Sequence, residues 1–122
     1  MKKLIPAAAL AIGAATALVP GVAQASPADH EGCNQMTCIQ VKGNAGNYQV
    51  FGFLVDTGSG FGHYHIWGPN LEYNGPDQRW SGGRGAGSPI QYGYGAGQVC
   101  SEFWINDNGT YRPTGRACGD VS

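Results

Sequence analysis

Asp56-Thr57-Gly58, closing the apolar run Phe53 to Val55, has the spelling of the catalytic turn of an aspartic protease. That chemistry needs two carboxylates about 3 Å apart sharing one proton, because two adjacent negative charges cannot both persist. A chain with one such motif would have to dimerise, as the small retroviral-type enzymes do. Those enzymes also carry a late signature of apolar residues, a glycine and a short helix, which props the catalytic turn. Here the late Gly115 follows Arg112-Pro113-Thr114, which is polar and helix-averse. A turn accounts for the motif without chemistry, since Asp and Gly end strands through side-chain capping and positive φ. Asp56-Thr57-Gly58 is therefore read as a strand-ending turn, and the dimeric protease as an outlying alternative.

His63 and His65 flank Tyr64, and residues two apart on a strand share a face. Both imidazoles could grip one metal ion, but a metal site needs at least a third ligand. The remaining histidine is His30, between Asp29 and Glu31 near the start of the expected mature chain. No cofactor is expected. Aromatic residues offer a different chemistry, because flat rings on a rigid sheet stack on sugars or anchor a protein partner. Trp67 and Trp104 end strong strand patterns and read as core. Tyr73, Trp80, Tyr92 and Tyr94 border loops and are the candidate binding residues. The chain has no G-x-S-x-G elbow, and its glycine-rich loops lack the strand–loop–helix setting of a phosphate cradle.

These residues need a scaffold, and the ends of the chain define its setting. Met1-Lys2-Lys3, an apolar run from Leu4 to Val19 and the small-x-small site Ala23-Gln24-Ala25 spell a secretory signal, residues 1–25. The apolar run is shorter than the ~20 residues of a membrane helix. The remaining chain keeps five basic residues, Lys42, Arg79, Arg84, Arg112 and Arg116, against eight acidic ones. Without a basic patch, nucleic acid and anionic membrane are poor partners. Four cysteines lie in this part, and an even count in an exported chain reads as a disulfide framework. Pairing each with its nearest neighbour gives Cys33–Cys38 and Cys100–Cys118. Gaps of this kind match no usual zinc finger.

Period-two alternation dominates after residue 25, with no helical period of useful length. Residues 26–34 read as a polar, flexible N-terminal arm, and 35–122 as one domain. Strands are expected at Thr37 to Val41, Tyr48 to Val55, Gly62 to Trp67, Ile90 to Tyr94 and Gln98 to Ile105. Leu71 to Tyr73 is expected to pair with Gln78 to Ser81 as a hairpin. Ser81 to Gly87 reads as a flexible loop. Asn108-Gly109 signals a tight turn into Thr110 to Arg112. The expected fold is all-β: a small antiparallel β-sandwich, immunoglobulin-like or similar, stapled by two disulfides.

The segments NQMTCIQVKG, GHYHIWGPN and VCSEFW, with a closing cysteine, are similar to those of small secreted actinobacterial proteins. The shared features are an early T-C-I-x-V strand, a middle H-x-x-W-G turn and a late V-C-x-x-F-W strand. Some proteins of that look are adaptor subunits of umbrella toxin particles, joining a toxin-bearing stalk to a lectin-bearing subunit. The resemblance implies a non-enzymatic β-sandwich adaptor in the extracellular space, with secreted protein partners. The residues themselves leave two alternatives: a secreted protease inhibitor using a disulfide-held loop, or a carbohydrate-binding module using the loop tyrosines on a glycan.

Overall fold

The computed structural model describes residues 28–122, so the expected signal segment lies outside the described residues. The strands are β1 (Ala28–Asn34), β2 (Thr37–Asn44), β3 (Asn47–Leu54), β4 (Ser59–Gly68), β5 (Leu71–Asn74), β6 (Gln78–Ser81), β7 (Gln91–Gly93), β8 (Gly97–Asp107) and β9 (Thr110–Val121). They form two sheets, ordered β1-β2-β3-β7 and β5-β4-β8-β9, with β6 also paired to β4. Every pairing is antiparallel. The molecule is an antiparallel β-sandwich, as the alternation predicts.

Alternation also explains which face is buried, since successive side chains on a strand point to opposite sides. Tyr48, Val50 and Leu54 of β3 and Ile39 and Val41 of β2 point inward, against Tyr64 and Ile66 of β4 and Val99 and Phe103 of β8. A fully buried side chain such as Phe103 contributes about 1.5–3 kcal/mol by leaving water. Tyr64 packs edge-on against Trp80 and tilted against Phe103, with ring centroids 4.9 Å apart in both cases. The inward position of β3 between Val50 and Leu54 is Gly52, where a Cβ would collide with the Ser101 hydroxyl.

Both expected disulfides form, and each joins residues directly opposite on neighbouring strands: Cys33 with Cys38 and Cys100 with Cys118. No helix among the described residues is long and apolar enough to cross a membrane.

Four local expectations change. From Ala28 onward the polar arm is strand β1, paired to β2 along its whole length. The hairpin expected between Leu71 to Tyr73 and Gln78 to Ser81 does not form, because β5 and β6 pair with different halves of β4. The glycine-rich segment after Ser81 folds back onto β3, with Gly83 N–H donating to the Leu54 carbonyl (2.9 Å) and Ser88 N–H to that of Gly52 (2.8 Å). Gly82 there serves close approach, since a Cβ on it would collide with the carbonyls of Val55 and Asp56. Trp67 and Trp104 are only half-buried, because the register of β4 and β8 turns both to the outer face.

Candidate functional site

The surface that stands out is built on β7. Pro89 precedes it and Gly95 and Gly97, both at positive φ, follow it, so the strand is short. The chain stays alongside β3 beyond the paired residues. Ser88 Oγ accepts from Gly52 N–H (2.9 Å), and Gly95 N–H donates to the Ala45 carbonyl (2.6 Å). The Asn70 amide donates to the Tyr94 carbonyl at 2.8 Å. Gly93 faces inward, where a Cβ would overlap the Tyr48 hydroxyl, itself donating to the Pro69 carbonyl at 2.6 Å. Tyr92 on β7 therefore points outward, and Ile90 and Tyr94, which flank the strand, are exposed beside it.

Their exposures are 46%, 65% and 60%, against 41% for Phe61 and 46% for Tyr111, the other large apolar side chains left open. Tyr111 is engaged, its hydroxyl donating to Asp77 and its ring meeting His63 edge-on at 5.2 Å. The Tyr92 and Tyr94 rings enter no aromatic pair, and their hydroxyls no hydrogen bond, among the described residues. Gln49, also exposed, lies directly opposite Tyr92 on β3. From Ser88 to Gln98 the sequence carries no charged residue. Two aromatic rings, an isoleucine and flanking amides can stack on and hydrogen-bond a partner.

The other candidate binding residues lie elsewhere. Trp80 is a correction: it is buried at 7% exposure, with its indole N–H donating to the Gly62 carbonyl at 2.9 Å. The loop-side reading failed because β6 lies across Gly62, bringing the indole over the core. Tyr73 is half-buried and packs against the core cluster.

His63 and His65 do share the outer face of β4, but each is held by a different carboxylate. His63 Nδ1 is 2.8 Å from Asp77 Oδ1, and His65 Nε2 is 2.7 Å from Glu72 Oε2. Asp77 also accepts from the Tyr111 hydroxyl and, at 3.0 Å, from the Asn106 amide. The Tyr111 hydrogen bond, then that of His63, holds the Asp77 carboxyl below its ordinary range. His65 stacks on Trp67 at 4.6 Å, over which lies the Arg116 guanidinium, bonded in turn to Glu102 at 3.0 Å. His30 sits on β1 against Gly119. Among the described residues no three of His, Cys, Asp and Glu are grouped to hold a metal ion. This outer face is a network that satisfies itself.

Asp56 is exposed in the turn that ends β3, where Gly58 N–H donates to the Val55 carbonyl at 2.7 Å. With Arg84, Phe53, Glu31 and the Cys33–Cys38 bridge it lines an open depression of about 280 Å³. Arg84 lies over the Phe53 ring at 5.8 Å and pairs with Glu31, which the Gln40 amide also reaches at 2.9 Å. The Arg84 hydrogen bond, then that of Gln40, lowers the Glu31 pKa.

The fold and surface define a disulfide-stapled β-sandwich that presents one uncharged aromatic stripe. No family model, curated protein or solved structure matches the chain.

Proposed function

We propose that the chain is an exported, non-enzymatic binding protein, an adaptor that holds a secreted protein partner on the stripe of Ile90, Tyr92 and Tyr94. The observation that carries this reading is the contrast on the surface. The outer face of β4, β8 and β9 uses its aromatic and charged groups on one another, whereas the stripe leaves two tyrosine rings without a partner among the described residues. Rigid, amphipathic aromatic side chains are the residues that dominate interface energetics. Two disulfides suit an oxidising compartment, which supports export.

Affinity capture from culture supernatant, followed by mass spectrometry, tests the reading. The unmodified protein captures the same secreted protein repeatedly, and the Tyr92→Ala/Tyr94→Ala variant does not. If the double variant retains the protein undiminished, the stripe is not its docking site. A glycan array run with both forms provides the competing outcome, in which sugar rather than protein is bound through the same rings.

A further inference from the structure

We infer that the Arg84–Gly85 peptide bond is a cleavage site for trypsin-class proteases, and that cleavage leaves a two-chain protein held together by its sheets. Such enzymes carry an acidic specificity pocket that takes an arginine or lysine, and proteases nick folded proteins at exposed loop tips of small residues. Among the described residues the lysines and arginines are Lys42, Arg79, Arg84, Arg112 and Arg116. Four of them lie in strands whose backbone is paired: Lys42 in β2, Arg79 in β6, and Arg112 and Arg116 in β9. Arg84 alone is outside a strand, in a single 3-10 turn, Arg84–Ala86, with its side chain 61% exposed. Gly85 is exposed as well, and a Cβ there would meet nothing within 4 Å, so no neighbour crowds the bond on that side.

The segment is anchored to β3 at its ends, through Gly83 N–H and Ser88 N–H, and is loose between them. There the turn is closed by one backbone hydrogen bond, Ala86 N–H to the Gly83 carbonyl at 3.1 Å. The other restraint is the Arg84 side chain, whose Nε donates to Glu31 Oε1 at 2.9 Å while its guanidinium lies over the Phe53 ring. Cleavage tracks the population of the opened turn, so Glu31 is a latch that keeps Arg84 out of a protease pocket. Water adds across the bond, its hydroxyl to the Arg84 carbonyl carbon and its proton to the Gly85 nitrogen, leaving a new carboxylate and a new amino terminus.

The cut falls between the two bridges. Cys33–Cys38 lies before it and Cys100–Cys118 after it, and no free cysteine is left to join the halves. Strands β1 to β6 then belong to one chain and β7 to β9 to the other. The β4–β8 ladder from Gly62 to Trp67, the β3–β7 ladder and the buried Thr37–Thr114 contact all cross the cut and hold the halves together. Cleavage does not depend on what the Tyr92 stripe binds.

Limited proteolysis of the folded protein with trypsin tests it, with mass spectrometry placing the first cut within residues 28–122. The unmodified protein is cut first between Arg84 and Gly85. Its two fragments separate on a denaturing gel without reductant and co-elute in native gel filtration. Arg84→Gln, with unchanged circular dichroism and melting, stays intact over the same time. Glu31→Gln is cut about twofold to fivefold faster, the reach of an exposed ion pair. A first cut at Lys42, Arg79, Arg112 or Arg116 overturns the inference, as does equal cleavage of Arg84→Gln. So does a chain that is cut only on unfolding, or one that blocks trypsin without being cut. Halves that part in native buffer overturn the two-chain product, and a Glu31→Gln variant cut no faster overturns the latch.

Discussion

Thr37 and Thr114 meet in the buried seam between the two sheets with their hydroxyl oxygens 3.0 Å apart. The pair completes a ring of hydrogen bonds around Phe103. Its N–H donates to Thr37 Oγ1 at 3.3 Å, and its carbonyl accepts from Thr114 Oγ1 at 3.0 Å. The cause is the β-bulge between Glu102 and Trp104, which leaves Phe103 without an opposite number on β9. Two threonines far apart in sequence supply the partners that the ladder cannot.

Replacing either threonine by valine keeps its shape and strands a buried backbone group of Phe103. Each change should destabilise by about 1–3 kcal/mol in urea denaturation, with a coupling between them in the double variant. Additive effects would show that the ring does not act as a unit.

The glycines that fold onto the Asp56 turn separate close approach from flexibility. Gly82→Ala drives a Cβ into the carbonyls of Val55 and Asp56 and should cost about 1–3 kcal/mol. At Gly85 a Cβ meets nothing within 4 Å, so Gly85→Ala should be neutral or stabilising by up to about 1 kcal/mol. Thermal melts of the two variants check the contrast, and equal tolerance at both positions would contradict it. Asp56→Asn, at an exposed position, should change stability by no more than about 0.5 kcal/mol. An assay with and without pepstatin should find no peptidase activity to lose.

Much of this architecture was legible in the sequence, for physical reasons that name its limits. Period-two alternation through Tyr48, Val50 and Leu54 gave β3 and its buried face, and the spacing of the cysteines gave both bridges. Asn108, at positive φ before Gly109, turns β8 into β9 as the dipeptide signals. What local patterns do not encode is which strand becomes whose neighbour. Trp80 looks like a loop-side aromatic until β6 is known to cross Gly62, and Trp67 looks like core until the register turns it outward. β1 was hidden because an edge strand with one solvated face can be polar throughout. Tyr92 and Tyr94 were legible as surface residues because glycines leave them few neighbours.

Acid should weaken the fold through Asp77 and Glu31. Both carboxyls are held below their ordinary values by hydrogen bonds in the folded state, Asp77 chiefly by Tyr111 and Glu31 chiefly by Arg84. The unfolded chain therefore binds protons first, so their contribution is present above the ordinary carboxylate range and lost as pH falls through the depressed folded values. Asp77→Asn should flatten the acid limb of the melting temperature against pH, and an unchanged slope would contradict this. Base acts through Tyr64, whose hydroxyl burial pushes far above 10.0. Its contribution is present below that value and lost as pH rises beyond it. Tyrosinate absorbance from Tyr64 should therefore appear only as the protein unfolds.

The two bridges should not contribute equally. Cys100–Cys118 closes a separation of 18 residues and Cys33–Cys38 one of 5. In the chain-entropy account these stabilise by about 3 and about 2 kcal/mol. Paired Cys→Ala variants measured by denaturation should keep that order, and a larger loss at Cys33–Cys38 would reverse it.

The central claim is that the uncharged stripe on β7 is the binding surface, and one comparison tests it most directly. The unmodified protein and Tyr92→Ala/Tyr94→Ala are matched for stability, which should agree within about 0.5 kcal/mol at such exposed positions, and each is used to capture partners from culture supernatant. The predicted result is a secreted protein retained by the first and lost by the second. Retention by both, or loss that follows unfolding of the variant, would contradict it.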